Sequence, residues 1–311
     1  MRIDRREPPL VSIGLPVLNG ERYLELALQS ILAQTFDDFE LVICDNASTD
    51  QTKEICERFA ARDPRVLHHR NAHTIGGGRN ANLAFNLARG KYFRWAAYDD
   101  ILAPDLLRRL VDVMEACPDV VLCQSQVVLI DEDGRETGLV AHHRRPDFER
   151  WRLFADITDL LSHNCEECYG LMRASALKRT GLHRDYTDSD RTLLAHMALQ
   201  GGFAEVPEPL FYRRVHASDS TSVFPEWRAR MVWFGSEYAD RITLPHWSQL
   251  FHYLEIIIRT PNTFGTKIRC LGFMAVWVTR YRRWRSLGKD IVLAAARLGR
   301  GHVWWRALRE A

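Results

Sequence analysis

Acidic and amide side chains gather where the apolar runs of this 311-residue chain end. Asn19 follows the run Val11–Pro16, Asp45 and Asn46 close the run that starts at Phe39, and Asp99 and Asp100 follow Tyr92–Ala97. Open α/β sheets bind ligands outside the carboxyl ends of their strands, so these residues are the first candidates for binding chemistry. Asp99 and Asp100 equally suit a helix start, where the dipole favours carboxylates. Two further patterns offer other chemistries. Gly76-Gly77-Gly78-Arg79-Asn80-Ala81 fits G-x-G-x-x-A, the loop that cradles a dinucleotide pyrophosphate. That fingerprint belongs after the first strand, where this chain has Asn19-Gly20-Glu21, so the glycines read as a flexible turn instead. Cys165 and Cys168 form a C-x-x-C with no second ligand pair nearby, which predicts structural thiols and no metal or redox centre.

Placing such side chains at strand ends requires strands alternating with helices, and the periodicity supplies both from residue 10 onward. Strands are predicted at Val11–Pro16, Phe39–Asp45, Val66–His69 and Tyr92–Ala97. The first helix spans about Glu21–Gln34 with Leu24, Ala27, Leu28 and Ile31 on one face. A second carries Ile55 and Phe59 behind the capping side chains of Asn46–Asp50, a third covers Asn80–Ala88, and a fourth presents Leu106, Leu107, Leu110, Val111 and Met114. The run Val120–Ile130 and the turn Asp131-Glu132-Asp133-Gly134 predict a hairpin. With right-handed crossovers this order makes an α/β, doubly wound, mostly parallel sheet with helices on both faces. Beyond residue 139 the alternation lapses. His142–Arg150 reads as a mobile polar loop, Ile157–His163 and Thr192–Leu199 as helices, and Phe203–Val215 as a strand divided at Pro207 and Pro209.

Four segments together resemble family 2 glycosyltransferases, over roughly residues 10–220. They are Val11-Ser12-Ile13-Gly14-Leu15-Pro16-Val17-Leu18-Asn19-Gly20-Glu21; Val42-Ile43-Cys44-Asp45-Asn46-Ala47-Ser48-Thr49-Asp50-Gln51-Thr52; Arg94 through Asp105; and Cys168–Arg173 continuing through Asp188-Ser189-Asp190 to Phe211-Tyr212-Arg213-Arg214-Val215-His216. The resemblance implies a GT-A fold and inverting transfer of a sugar from a nucleotide-sugar donor, with a UDP-sugar favoured, to a hydroxyl acceptor. It implies nucleotide-sugar contacts at Pro16, Asn19, Glu21, Asp45, Asn46, Arg79 and Asp99, with Asp45 on the nucleobase edge. Asp99 stands at the second position of the family's metal-binding Asp-x-Asp, and Ala97 replaces the first Asp. A carboxylate-held Mg²⁺ or Mn²⁺ there neutralises the pyrophosphate, with His216 as an imidazole ligand or a phosphate contact. Asp190 falls on the catalytic base, Asp188 is its rival, and Ser189 replaces the usual preceding Glu. Two alternatives stand beside this reading. A nucleotidyltransferase needs a glycine-rich, Lys/Arg-bearing loop after the first strand, which is absent, and a non-catalytic sugar-binding module is suggested by Ala97 and Ser189.

Charge divides the chain. Residues 225–311 hold 15 Lys+Arg against 6 Asp+Glu, whereas residues 1–224 hold 27 against 34. Seven of the nine Trp lie in that tail. We therefore expect a catalytic domain over residues 1–222 and a basic, Trp-rich helical extension over 223–311, striped by Ile268, Leu271, Met274, Val278 and Tyr281. Basic charge with interfacial aromatics suits an anionic membrane surface or an acidic partner, and equally a solvated packing element; nucleic acid is not expected. Met1–Leu10 lacks the apolar core of a secretory signal, and Cys270–Thr279 is far shorter than the ~20 residues of a spanning helix. Seven Cys, an odd number, fit a reducing compartment. These features predict a cytoplasmic protein at the inner face of the membrane, acting in cell-surface polysaccharide or glycoconjugate synthesis.

Overall fold

A computed structural model of the chain describes residues 7–144, 149–159, 165–184, 186, 188–216, 244–279 and 283–307. Strand β1 (Val11–Val17) pairs in parallel with β2 (Phe39–Asp45) and β4 (Tyr92–Trp95), and β2 pairs in parallel with β3 (Val66–Arg70). Helices α1 (Leu24–Leu32), α2 (Thr52–Arg62) and α3 (Gly77–Leu87) make the crossovers. After β5 (Ile101–Leu102) and α4 (Leu106–Ala116) come β6 (Val120–Ile130), β7 (Glu136–Val140), α5 (Arg150–Thr158), a 3-10 turn (Glu166–Tyr169), β8 (Leu171–Arg173), α6 (Ala174–Leu177), α7 (Ser189–Gln200) and β9 (Gly202–Arg214). The nine-stranded sheet runs β3-β2-β1-β4-β8-β6-β9-β5, with β7 on β6. β8 meets β4 and β6 antiparallel, so the sheet is mixed, but its long ladders are parallel.

Strand alternation sends side chains to two cores. On one face Ile13, Leu15, Leu41 and Ile43 meet Leu24, Leu28, Ile55 and the α4 stripe Leu106, Leu107, Leu110 and Met114. On the other, Phe93, Trp95 and Leu122 meet Phe85, Phe154, Leu194 and Met197. Three tail helices, α8 (Pro245–Arg259), α9 (Phe264–Thr279) and α10 (Arg283–Ala307), join this second core. Tyr253 and Trp277 are fully buried there, Tyr253 packing edge-on to Phe154 at 5.9 Å and to Trp277 at 5.8 Å. The Trp277 indole donates to the Thr158 carbonyl at 3.2 Å, satisfying the end of α5.

Several boundaries and faces differ from those the periodicity predicts. α1 begins at Leu24 because the N–H groups of Asn19, Gly20 and Glu21 are spent on the second strand-end loop. The glycines are no flexible turn: Gly76, at φ 88°, precedes α3, and Gly77 and Gly78 are its first residues. α2 starts at Thr52, and Asp50 accepts its N–H at 3.0 Å. α5 runs from Arg150 to Thr158, earlier than Ile157–His163; residues 160–164 lie outside the described part. The tail stripe is also shifted. α9 buries Cys270, Met274 and Trp277, while Ile268 and Leu271 face outward; Tyr281 lies outside the described residues. The strand β9 does change register where Pro207 and Pro209 fall, Ser125 facing Val206 and Gln126 facing Pro209.

Candidate active site

Two strand-end loops at the carboxyl edge of β1 and β2 hold each other. Asn19, at φ 54°, donates its N–H to Ser48 Oγ (2.9 Å) and accepts the Thr49 N–H on Oδ1 (2.9 Å). Gly20 donates to Thr52 Oγ1 (2.8 Å), and Glu21 donates to Asp50 Oδ2 (3.1 Å) while Glu21 Oε2 accepts the Gln51 N–H (3.0 Å). A Cβ on Gly20 would lie 2.7 Å from a Val17 methyl and 2.9 Å from the Tyr98 ring, so only glycine fits there. Pro16, half-buried in β1, stands opposite Cys44. Asp45 is fully buried: Oδ1 accepts the Ser48 N–H at 2.8 Å and Oδ2 pairs with Arg70, whose other arm donates to the Ser48 carbonyl at 2.8 Å. Asn46 Oδ1 accepts from Ile75 N–H (2.9 Å) and Asn71 Nδ2 (3.0 Å), fixing the approach to α3, on whose first turn Arg79 is exposed. Asp45 and Asn46 thus act here as organisers of the loop wall.

The second cluster lies where β9 returns beside Asp99. His216 Nε2 is 2.9 Å from Asp99 Oδ2, and its buried ring leans on Tyr23 at 5.1 Å. Arg214 locks the segment: its backbone N–H donates to Asp100 Oδ1 (2.9 Å), Nε to the Asp99 carbonyl (3.0 Å) and Nη1 to the Asp131 carbonyl (2.9 Å). Burial, then the adjacent Asp99 carboxylate, push Asp100 up to about 8. Arg94 lies wholly buried over the Phe211 ring at 4.9 Å, and burial pulls its guanidinium down to about 10. One carboxylate oxygen and one imidazole nitrogen converge here, a donor set that fits Mg²⁺ and more readily Mn²⁺. Ala97, half-buried, adds no ligand.

The third cluster opens α7. Asp188, exposed and at φ 62°, precedes the helix, and Asp190 stands half-buried on its first turn with Oδ1 accepting the Arg191 N–H at 2.7 Å. Burial and then Asp188 raise Asp190 above the ordinary carboxylate range, against the pull of that N–H. Arg191 pins α7 to the end of α5 by donating to the Ile157 carbonyl (2.8 Å). From the tail, His252 stacks on Tyr186 at 5.3 Å with Nδ1 3.0 Å from its hydroxyl, which bonds Thr192 Oγ1 at 3.0 Å. Between the clusters runs the 3-10 turn. Burial, then Asp190, hold the Cys168 thiol well above its usual range.

Sequence reasoning missed Arg70, Tyr186 and His252, whose roles depend on partners 22 to 66 residues away. It also missed a buried network behind the 3-10 turn. His142 lies 3.5 Å from Glu166 and 3.8 Å from Glu167; Arg213 pairs with Glu166 (3.1 Å) and Arg144 with Glu167 (2.9 Å). The expected mobile loop at His142–Arg150 is therefore corrected for His142 and Arg144, while residues 145–148 lie outside the described part. Burial alone would lower His142, but the Glu166 and Glu167 carboxylates outweigh it and raise the imidazole. Adjacent glutamates between two apolar stretches were the available signal.

Polar loops at the carboxyl edge of parallel strands, continued by an Asp–His contact, lie where an open α/β sheet binds its ligand. More particularly, the chain belongs to glycosyl transferase family 2, whose model matches residues 12–181. It is 34% identical over 134 residues to a glycosyltransferase of Methanocaldococcus jannaschii, covering 42% of this chain and 46% of that protein. It is 26% identical over 224 residues to one of Haemophilus influenzae, covering 70% and 68%. The chain thus spans about half of the first relative's length and two thirds of the second's. Among solved structures, S. aureus TarS in complex with UDP-GlcNAc superposes with a TM-score of 0.61 at 17% identity, over 88% of this chain and 74% of TarS. A mannosyltransferase from Pyrobaculum calidifontis in complex with GDP-Man and Mn²⁺ gives 0.52 at 18%, over 93% and 87%. These likenesses establish a GT-A fold with C-terminal helices. Among the described residues no helix is long and apolar enough to cross a membrane.

Proposed function

We propose that the protein is an inverting, metal-dependent transferase that moves a sugar from a nucleoside diphosphate donor, a UDP-sugar foremost, to an acceptor hydroxyl. The observation that carries this reading is the 2.9 Å contact of Asp99 with His216 at the carboxyl edge of the sheet. The rigid loops of Asn19–Glu21 and Asp45–Asn46 form the wall for the nucleoside, and Arg79, at the head of α3, faces the phosphates, where a helix N-terminus favours anions. Asp99 and His216 hold Mg²⁺ or Mn²⁺, which when bound neutralises the diphosphate and the departing charge. Asp190 takes the acceptor proton as the hydroxyl oxygen attacks the anomeric carbon, and its raised pKa brings it closer to the pH at which a base works best. Asp188, two residues away, is the other carboxylate that could serve.

A glycan or lipid-linked acceptor in cell-surface polysaccharide or glycoconjugate synthesis, at the inner face of the membrane, accords with the basic, Trp-rich tail. Donor turnover with UDP-, GDP- and dTDP-sugars, with and without Mn²⁺, tests the reading. The product's anomeric configuration, read by NMR, tests inversion. Metal-independent turnover, or retention at the anomeric carbon, would refute the mechanism.

A further inference from the structure

Solvent-exposed large apolar side chains are distributed unevenly over the molecule. Of the fourteen among the described residues, ten lie between Leu244 and Val292. Four of them sit on α9: Phe264 (81% exposed), Ile268, Leu271 and Val276. At 100° per residue, Phe264, Ile268, Leu271, Gly272, Ala275 and Thr279 fall within an arc of about 100°. The arc lies opposite the buried Cys270, Met274 and Trp277. Lys267 stands at one edge of the stripe and Arg269 beyond the other, the layout of a helix that lies in a bilayer interface. α10 repeats the theme with exposed Trp284, Ile291 and Val292 beside exposed Arg285 and Lys289.

The charges around this surface specify its occupant. Over residues 244–295 the only acids are Glu255 and Asp290, and Asp290 is buried against His246. Arg259, Arg269, Arg285 and Lys289 are exposed. Arg259 is paired with Glu255 (2.7 Å) and Arg269 with Glu149 (3.0 Å), so Arg285 and Lys289 on α10 carry the choice: a second copy packed face to face would oppose them to like charge, whereas anionic headgroups meet them. We propose that the outer face of α9, with the exposed apolar and basic residues of α10, docks on an anionic lipid bilayer. This deepens the membrane location proposed above, but its test does not read the transfer reaction, so either can fail alone.

The test is co-sedimentation of the full chain with vesicles of phosphatidylglycerol and phosphatidylcholine against vesicles of phosphatidylcholine alone. Binding to the anionic vesicles is expected to exceed binding to the neutral ones by on the order of tenfold and to fall with added salt. Phe264→Ser with Ile268→Ser, and separately Arg285→Glu with Lys289→Glu, are each expected to lower it by a similar factor. Leu67→Ser, at an exposed apolar site outside the tail, is expected to leave it unchanged. These side chains are exposed, so circular dichroism and Tm are expected to match wild type. Equal binding to both vesicle types, or unchanged binding by both double variants, overturns the proposal. So does a wild-type dimer in light scattering that Phe264→Ser with Ile268→Ser converts to monomer without lipid, since the stripe would then be a self-interface.

Discussion

The proposed donor side and the proposed base side of the site are held together differently. Around Asn19, Asp45 and Asn46 almost every polar atom is answered by a neighbour from the adjacent strand-end loop, with both partners in the first 80 residues. Around Asp190 the support comes from far away in sequence: α5, the 3-10 turn and tail residue His252. The proposed donor wall answers its buried carboxylate, Asp45, with Arg70 and a backbone N–H, whereas on the proposed base side burial leaves Asp190 with raised proton affinity. A nucleotide needs a fixed surface. A proton acceptor needs a tuned one, and tuning requires burial that only tertiary packing supplies.

The most severe way to break this contrast is Asp99→Ala, which removes the carboxylate of the Asp–His pair while leaving the loops intact. Metal-dependent donor binding is expected to disappear by calorimetry with Tm unchanged, and undiminished activity across a Mn²⁺ titration would show the metal assignment to be wrong. Next comes Asp190→Asn. Donor and metal affinity should hold while transfer falls roughly 10²-fold or more, and the rise of rate with pH through the ionisation of Asp190 should vanish. Asp188→Asn measured in parallel decides which carboxylate is the base. Tyr253→Ala sharpens the comparison from the tail: a buried aromatic lost from the second core is expected to cost about 3–5 kcal/mol in denaturant unfolding. If the base side alone relies on the tail, kcat at a temperature where the variant stays folded should drop while donor Kd stays constant. The smallest effect is expected from His142→Gln. The folded-state pKa of His142 is raised above 6.5, so its stabilisation is complete below pH 6.5 and is lost as pH rises through the folded value. The variant should show a flatter Tm between pH 6 and 8, and an unchanged slope would remove His142 from the network.

How much of this was legible in the sequence follows the same division. The run Phe39–Asp45 is a strand with the predicted ends, and the α4 stripe from Leu106 to Met114 is buried as its period requires. Asp99 and His216, singled out in the sequence and 117 residues apart, lie 2.9 Å from each other. The structural duties of Asp45 and Asn46 were not legible, because a carboxylate at a strand end looks the same whether it faces a ligand or, as here, Arg70. The predicted α9 stripe is split, Met274 and Val278 packing on the second core while Ile268 and Leu271 are exposed, because hydropathy does not tell which apolar side chains of a helix meet the protein. The Glu166–Glu167 network escaped because its partners, His142, Arg144 and Arg213, share no local pattern with it.

The packing of Tyr253 and Trp277 against α5 and α7 also sets a schedule for synthesis. When α7 has been made, the apolar residues it shares with α5 still lack the tail side chains that complete their core. Trp277 is added 78 residues after Leu199, which at about 5–20 residues per second is a delay of roughly 4–16 s. During that interval the parallel half, from Val11 to Trp95, already has all its strand partners, β8 included, so the loops proposed for the nucleoside can form while the helix bearing Asp190 is still open on its tail side. A nascent chain stalled in this window exposes apolar surface beside Asp190, and it is there that a chaperone would find this protein.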